Sequence, residues 1–163
     1  MTAQLELEKK EKHDGKIIGV IENGSYSHGN FILGVVVSHK LKDNEGVCFL
    51  SLLHPQSHYQ YVGNKLGFNL KASIEKKQVK FLDTLRTTQE SIVENNALKL
   101  GDELILWLSN LIEVNLKDVH SRFNRVTLII DDISILLGLG CPVKKIMCFL
   151  QFILSLISAR NSM

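Results

Sequence analysis

Acidic residues are missing from the end of this 163-residue chain: no Asp or Glu follows Asp132. Proline occurs only at Pro55 and Pro142, tryptophan only at Trp107, and cysteine only at Cys48, Cys141 and Cys148, with no C-x-x-C spacing. So few prolines and eleven scattered glycines exclude a collagen-like or low-complexity chain. Three widely spaced cysteines make no disulfide framework and read as free thiols in a reducing compartment. Charge of one sign is lacking too. A net charge of +2 and a pI near 8.4 fall short of the basic footprint of a nucleic-acid-binding domain. No apolar run reaches the ~20 residues that cross a bilayer. The longest, residues 146–159, is interrupted by Gln151, Ser155 and Ser158, so a buried helix fits it better than a membrane tail. Residues 1–15 mix Glu and Lys without an apolar stretch, unlike a secretion signal or transit peptide, and place the chain in the cytoplasm or nucleus. What is present, 45% hydrophobic and 22% charged residues, suits one globular domain.

The apolar runs alternate between short and long. Residues 16–21 (KIIGVI), 47–53 (VCFLSLL), 78–82 (QVKFL) and 126–130 (VTLII) read as buried strands. Between them lie a helix from Gly29 onward, apolar on nearly every side and so expected to be deeply packed, and one capped by Ser57 after the turn at Pro55. A third helix is capped by Asp102 and carries Leu104, Ile105, Leu108, Leu111 and Ile112 as a stripe beside Trp107; a last one runs over residues 143–159. Strands without polar alternation, separated by helices, predict an α/β fold with a parallel sheet covered on both faces. Such sheets place their sites at the carboxyl ends of the strands.

Two segments fall at such ends. Gly24 and Gly29 have the spacing of a phosphate-binding loop, G-x-x-x-x-G-K-[ST], between strand and helix. Asn30 stands where that loop has its Lys and Phe31 where it has its Ser or Thr. An amide carries no charge for a phosphate and a phenyl ring cannot hold Mg²⁺, so the pattern reads as a degenerate Walker A loop or simply as a turn. The run 126–130 ends in Asp131 and Asp132, a Walker B-like pattern in which a carboxylate orients the metal shell, or else an aspartate capping the turn DDIS. Together they describe a nucleotide-binding core without its chemistry: no catalytic residue, cofactor site or metal site is expected.

Weaker candidates surround these. His54 and His58 are four residues apart, but Pro55 disturbs the helix between them and no third metal ligand is near. Lys65, Lys71, Lys76, Lys77, Lys80 and Arg86 form a local basic cluster, either a solvated surface or a place for a nucleic-acid backbone.

Several pieces of the sequence resemble the Elongator complex protein 6 family: residues 47–53, Ser57-His58-Tyr59, Val62-Gly63-Asn64-Lys65-Leu66-Gly67, Val79-Lys80-Phe81-Leu82, and residues 126–140 (VTLIIDDISILLGLG). The similarity runs over residues 16–157. It implies a three-layer RecA-like, P-loop NTPase-like core that has lost the phosphate-loop Lys, in keeping with Asn30 and Phe31. It further implies a non-catalytic subunit that joins Elongator subunits four and five in a hetero-hexameric ring, binds tRNA and supports modification of the wobble uridine by the catalytic Elongator subunits, away from any membrane. Residues 1–15 are then a flexible charged N-terminus and residues 16–160 a single RecA-like domain. RecA-like cores continue past the helix that follows the Walker B-like strand, so this domain is expected to be incomplete, in a C-terminally shortened form. With the usual intervening strand missing, either two strand edges stay open or the first and fourth strands pair directly.

Overall fold

β-Branched and aromatic side chains without intervening charge make a strand that is stable only between two apolar layers. The segment GVCFLS meets that condition most fully: in the computed structural model, which describes residues 16–21, 29–84 and 101–160, it is β1 (Gly46–Ser51) and is buried along its whole length. β1 is flanked by β2 (Val79–Asp83) and β3 (Val126–Ile130), both parallel to it, in the order β2-β1-β3. Val47 pairs with Val79 on one side and Thr127 on the other, and Leu50 with Leu82 and Ile130. The expected α/β architecture with a parallel sheet is therefore present.

The period of two sends alternate residues to opposite layers. Val47, Phe49, Val79 and Ile129 pack with Val37, Tyr59 and Leu70 from α1 (Asn30–Lys42), α2 (Gln56–Lys65) and α3 (Leu70–Glu75). Cys48, Leu50, Leu52 and Leu82 face the other layer, formed by α4 (Gly101–His120), the single turn α5 (Ile135–Gly138) and α6 (Val143–Arg160). Desolvation in that layer pushes the Cys48 thiol up to about 12, so it is an inert core group. α4 follows the predicted stripe, with Leu104, Ile105, Leu108, Ile112, Leu116 and Val119 buried and Trp107 and Leu111 packed beside them. Asp102 and Glu103 in its first turn and Lys117 and His120 in its last complement the helix dipole.

At the amino end of the sheet, the buried Glu45 carboxylate meets Lys40 Nζ at 2.8 Å and Arg125 Nη1 at 3.4 Å. Gln78 Nε2 donates to the carbonyls of Leu41 and Glu45, tying α1 and β2 to the same corner. Gly46 must be glycine here, because a Cβ would lie 2.6 Å from Val119 Cγ1 and 3.1 Å from the Phe123 ring.

Four expectations change. Residues 16–21 are not a strand; they run as exposed coil, with Ile21 91% exposed, so an apolar β-branched segment finds no partner in this sheet. α1 is not deeply packed: Gly34, Val37 and Ser38 are buried while Phe31 and His39 face solvent, since only one helix layer covers the sheet there. α2 starts at Gln56, with Pro55 in extended geometry at the cap position and no side-chain cap, so Ser57 lies inside the first turn. Asp102 likewise lies inside α4 and pairs with Lys145 of α6 at 3.0 Å rather than sitting at the cap. The apolar end is α6, which buries Ile146, Phe149 and Ile153 against α4 and leaves Val143, Met147 and Leu154 exposed. No helix among the described residues is long and apolar enough to cross a membrane.

Leu108 is fully buried on the central stripe of α4. Leu108→Ala is expected to lower the unfolding free energy by about 2–5 kcal/mol, read as a lower urea midpoint with an unchanged slope.

Candidate functional site

β3 ends where its apolar run meets two acids, and the two take different roles. Asp131 is buried, and its backbone N–H continues the ladder to the Leu50 carbonyl at 3.2 Å. Its carboxylate sits over the carboxyl end of β1. Leu52 N–H donates to Oδ1 at 2.5 Å, and Leu53 N–H and Tyr59 Oη donate to Oδ2 at 3.3 and 2.7 Å. Ser51 Oγ lies 2.8 Å from Oδ2 and 2.5 Å from the His54 carbonyl. The hydroxyl has one proton to give, and the charged oxygen is the stronger acceptor. Four donors thus converge on a carboxylate with about four lone-pair sites. Asp132 is exposed and caps the next turn, accepting from the backbone N–H and the hydroxyl of Ser134. The capping alternative therefore holds for Asp132, whereas Asp131 neither caps nor points to solvent.

Tyr59 reaches Asp131 because Pro55 turns the chain back over the sheet and α2 presents one narrow buried face, Tyr59 and Gly63. Its ring packs on Phe49 at 4.6 Å and on Phe81 at 5.8 Å between centroids. Burial first, and then the hydrogen bond to the Asp131 carboxylate, raise the Tyr59 hydroxyl far above its ordinary value, so it remains a donor at any physiological pH. His54 and His58 stack at 4.1 Å with an interplanar angle of 21°, and the His58 ring meets Tyr59 edge-on at 5.2 Å. His58 Nε2 is buried without a hydrogen-bond partner among the described residues. Its pKa is lowered by burial and by the neighbouring His54, against an opposing pull from Asp131. No group of three His, Cys, Asp or Glu side chains that could hold a metal occurs among the described residues.

Of the loop candidates, Gly24 lies outside the described residues. Gly29 occupies the cap position of α1 and accepts the Leu33 N–H at 3.2 Å; Asn30 and Phe31 open the helix, Phe31 with its ring 57% exposed. Neither residue carries a cation or a hydroxyl. Lys65, Lys71, Lys76 and Lys77 are exposed on and after α2 and α3, Lys80 is half-buried on β2, and Arg86 lies outside the described residues. An open groove of about 400 Å³ between α4 and α6, lined by Ile105, Leu106, Cys148 and Phe152 together with the Asp102–Lys145 pair, shares no residue with the Asp131 cluster.

Sequence reasoning located Asp131 but missed its partners. Ser51 and Tyr59 lie 80 and 72 residues away in the chain, and their donor roles follow only from the parallel pairing of β1 with β3. The one local signal for Tyr59 is its spacing from Gly63, which gives an otherwise polar helix a single inward face.

Three of the donors meet Oδ2 and one meets Oδ1, so the carboxylate ties the end of β1, the turn after it and α2 to the end of β3.

A family model described as Elongation complex protein 6 matches residues 1–162. Curated proteins named Elongator complex protein 6 are similar: that of Homo sapiens is 31% identical over 135 residues, 76% of this chain and 51% of its own length. Those of Rattus norvegicus and Xenopus tropicalis are 30% and 28% identical over 76% and 78% of the chain, covering 51% and 52% of their own lengths. The chain spans about half the length of the curated relatives it matches. No solved structure gives a significant match.

Asp131→Asn puts amide hydrogens against hydrogen-bond donors and should cost roughly 2–4 kcal/mol of unfolding free energy, and Tyr59→Phe roughly 1–2, both by urea denaturation. For His58, the folded pKa lies below its ordinary 6.5, so the unfolded chain binds the proton more tightly. Its contribution is fully present above pH 6.5 and is lost as the pH falls through the depressed folded value. Thermal midpoints across that interval should fall in the parent chain, and His58→Gln should flatten the slope.

Proposed function

Because the chain belongs to the Elongation complex protein 6 family, we propose that it acts as a non-catalytic subunit of the Elongator complex. It takes its place with Elongator subunits four and five in a hetero-hexameric accessory ring that binds tRNA and supports wobble-uridine modification, in the cytoplasm or nucleus. Its contribution is surface and shape rather than chemistry, with residues 16–160 acting as one RecA-like unit behind a charged tail of residues 1–15. The observation that carries the non-catalytic reading is the Asp131 carboxylate, held by Ser51, Leu52, Leu53 and Tyr59. The acid that would position Mg²⁺ in a nucleotide hydrolase is here a pin between β3, β1 and α2. Asn30 and Phe31 support the same reading by residue type, because a triphosphate would meet neither a lysine nor a metal-binding hydroxyl there.

The rival reading is a nucleotide-binding ATPase of the P-loop type with an altered loop. Each charge-assisted contact that it lacks is worth about 1.5–3 kcal/mol, and losing the lysine and the metal hydroxyl together removes most of a micromolar affinity. Calorimetric titration with ATP and Mg²⁺ should give no binding at micromolar concentrations, and a micromolar dissociation constant would establish the rival. Co-expression with Elongator subunits four and five followed by size exclusion should give a hexamer-sized peak containing all three chains. Elution of this chain apart from the other two would sink the assembly role.

A further inference from the structure

α6 carries two apolar stripes. Ile146, Phe149 and Ile153 make the first and are buried in the layer shared with α4. Val143, Met147, Leu150 and Leu154 make the second; at 3.6 residues per turn they fall within an arc of roughly 60°. Val143, Met147 and Leu154 are 64%, 52% and 39% exposed, Leu150 is half-buried, and none of the four belongs to either core cluster among the described residues. The groove toward α4, with Cys148 and Phe152 on its wall, lies on the other side of the buried stripe. The second stripe therefore faces away from every described helix of its own layer that the first one meets.

Spacing and charge say what fits there. Intervals of four, three and four residues are those of heptad a and d positions, whose side chains enter the holes of a facing helix, so the stripe suits a helix rather than a strand. The seam itself is uncharged, and no Asp or Glu follows Asp132. Charges beside such a seam are what select an unlike partner. Here the outer flank is Lys144, Gln151 and Ser158, the inner flank is the buried stripe, and Lys145 is engaged by Asp102 at 3.0 Å. That leaves Lys144 as the one charge to place. An antiparallel pair of identical helices puts the two Lys144 side chains at opposite ends of the seam, each beside a neutral Gln151, and opposes the helix dipoles; a parallel pair brings both lysines to one end. We propose that this face docks a second copy of the chain, α6 against α6 and antiparallel, with Val143 of one copy against Leu154 of the other and Met147 against Leu150. Four aliphatic side chains a copy cover much less than the ~800 Å² per partner of a standard interface, so the dissociation constant should be on the order of 10–100 µM. The proposal does not rest on a role in Elongator.

Sedimentation equilibrium of the full chain alone, from about 5 to 300 µM, tests it against the affinity expected above. A monomer–dimer equilibrium is expected; a monomer throughout, or open-ended association without a dimer plateau, overturns the proposal. Met147→Glu and Val143→Lys each place a charge on an exposed seam position and should weaken the dimer at least about tenfold while leaving the thermal midpoint of the dilute monomer unchanged. A dimer that survives both variants uses another face, and the α6 pairing is then wrong. Cysteine cross-linking reads the direction. Cys148 is the exposed cysteine and is replaced by Ser, while Cys48 and Cys141 are buried. In that background a mixture of Val143→Cys and Leu154→Cys chains should be joined by a short bismaleimide, whereas Val143→Cys alone should not, because its two thiols lie roughly 16 Å apart along the antiparallel axis. Joining of Val143→Cys to itself without the mixed product would mean a parallel pair and overturn the antiparallel order.

Discussion

The carboxyl end of the sheet depends on a buried negative charge. A carboxylate removed from water needs hydrogen-bond donors, and Asp131 receives them from two backbone N–H groups and two hydroxyls. Those donors come from the end of β1, the turn after it and α2. One side chain from β3 therefore fixes how the chain leaves the central strand and where α2 lies, and α2 brings Tyr59 onto Phe49 and Phe81. Loosening the carboxylate would leave several buried donors orphaned at once, so these contacts form and fail together.

The same constraint separates likeness of pattern from likeness of chemistry. Four or five apolar residues followed by two acids describe a metal-orienting strand end and this structural pin equally well. The difference lies in the donors that approach the first acid, and these come from residues far away in the chain. Asn30 and Phe31 carry neither a cation nor a hydroxyl.

Legibility followed the range of the interactions. β1, β2, β3, α4 and α6 were readable because apolar runs and stripes report burial directly, as in the Leu104 to Ile112 stripe. The division of labour between Asp131 and Asp132 was half readable: the turn cap at Asp132 is local, two residues from Ser134, while the role of Asp131 depends on β1 lying beside β3. Residues 16–21 show the limit of periodicity, which reports that a segment could be buried but not whether a partner lies beside it. The α2 cap was misplaced because Pro55 sets the helix start through its fixed φ, where a serine two residues later looked the better side-chain cap.

The two ends of the sheet are closed by unlike means. At the carboxyl end a charge is held by neutral donors, with no counter-cation among the described residues; at the amino end Glu45 is held by Lys40 and Arg125, whose own side chains reach solvent. Mobile ions weaken the second arrangement and barely touch the first. Ionic strength is therefore a directional variable for this fold. Raising it relaxes the corner where α1 and the loop before β3 meet, while the end bearing the acid pair keeps its geometry.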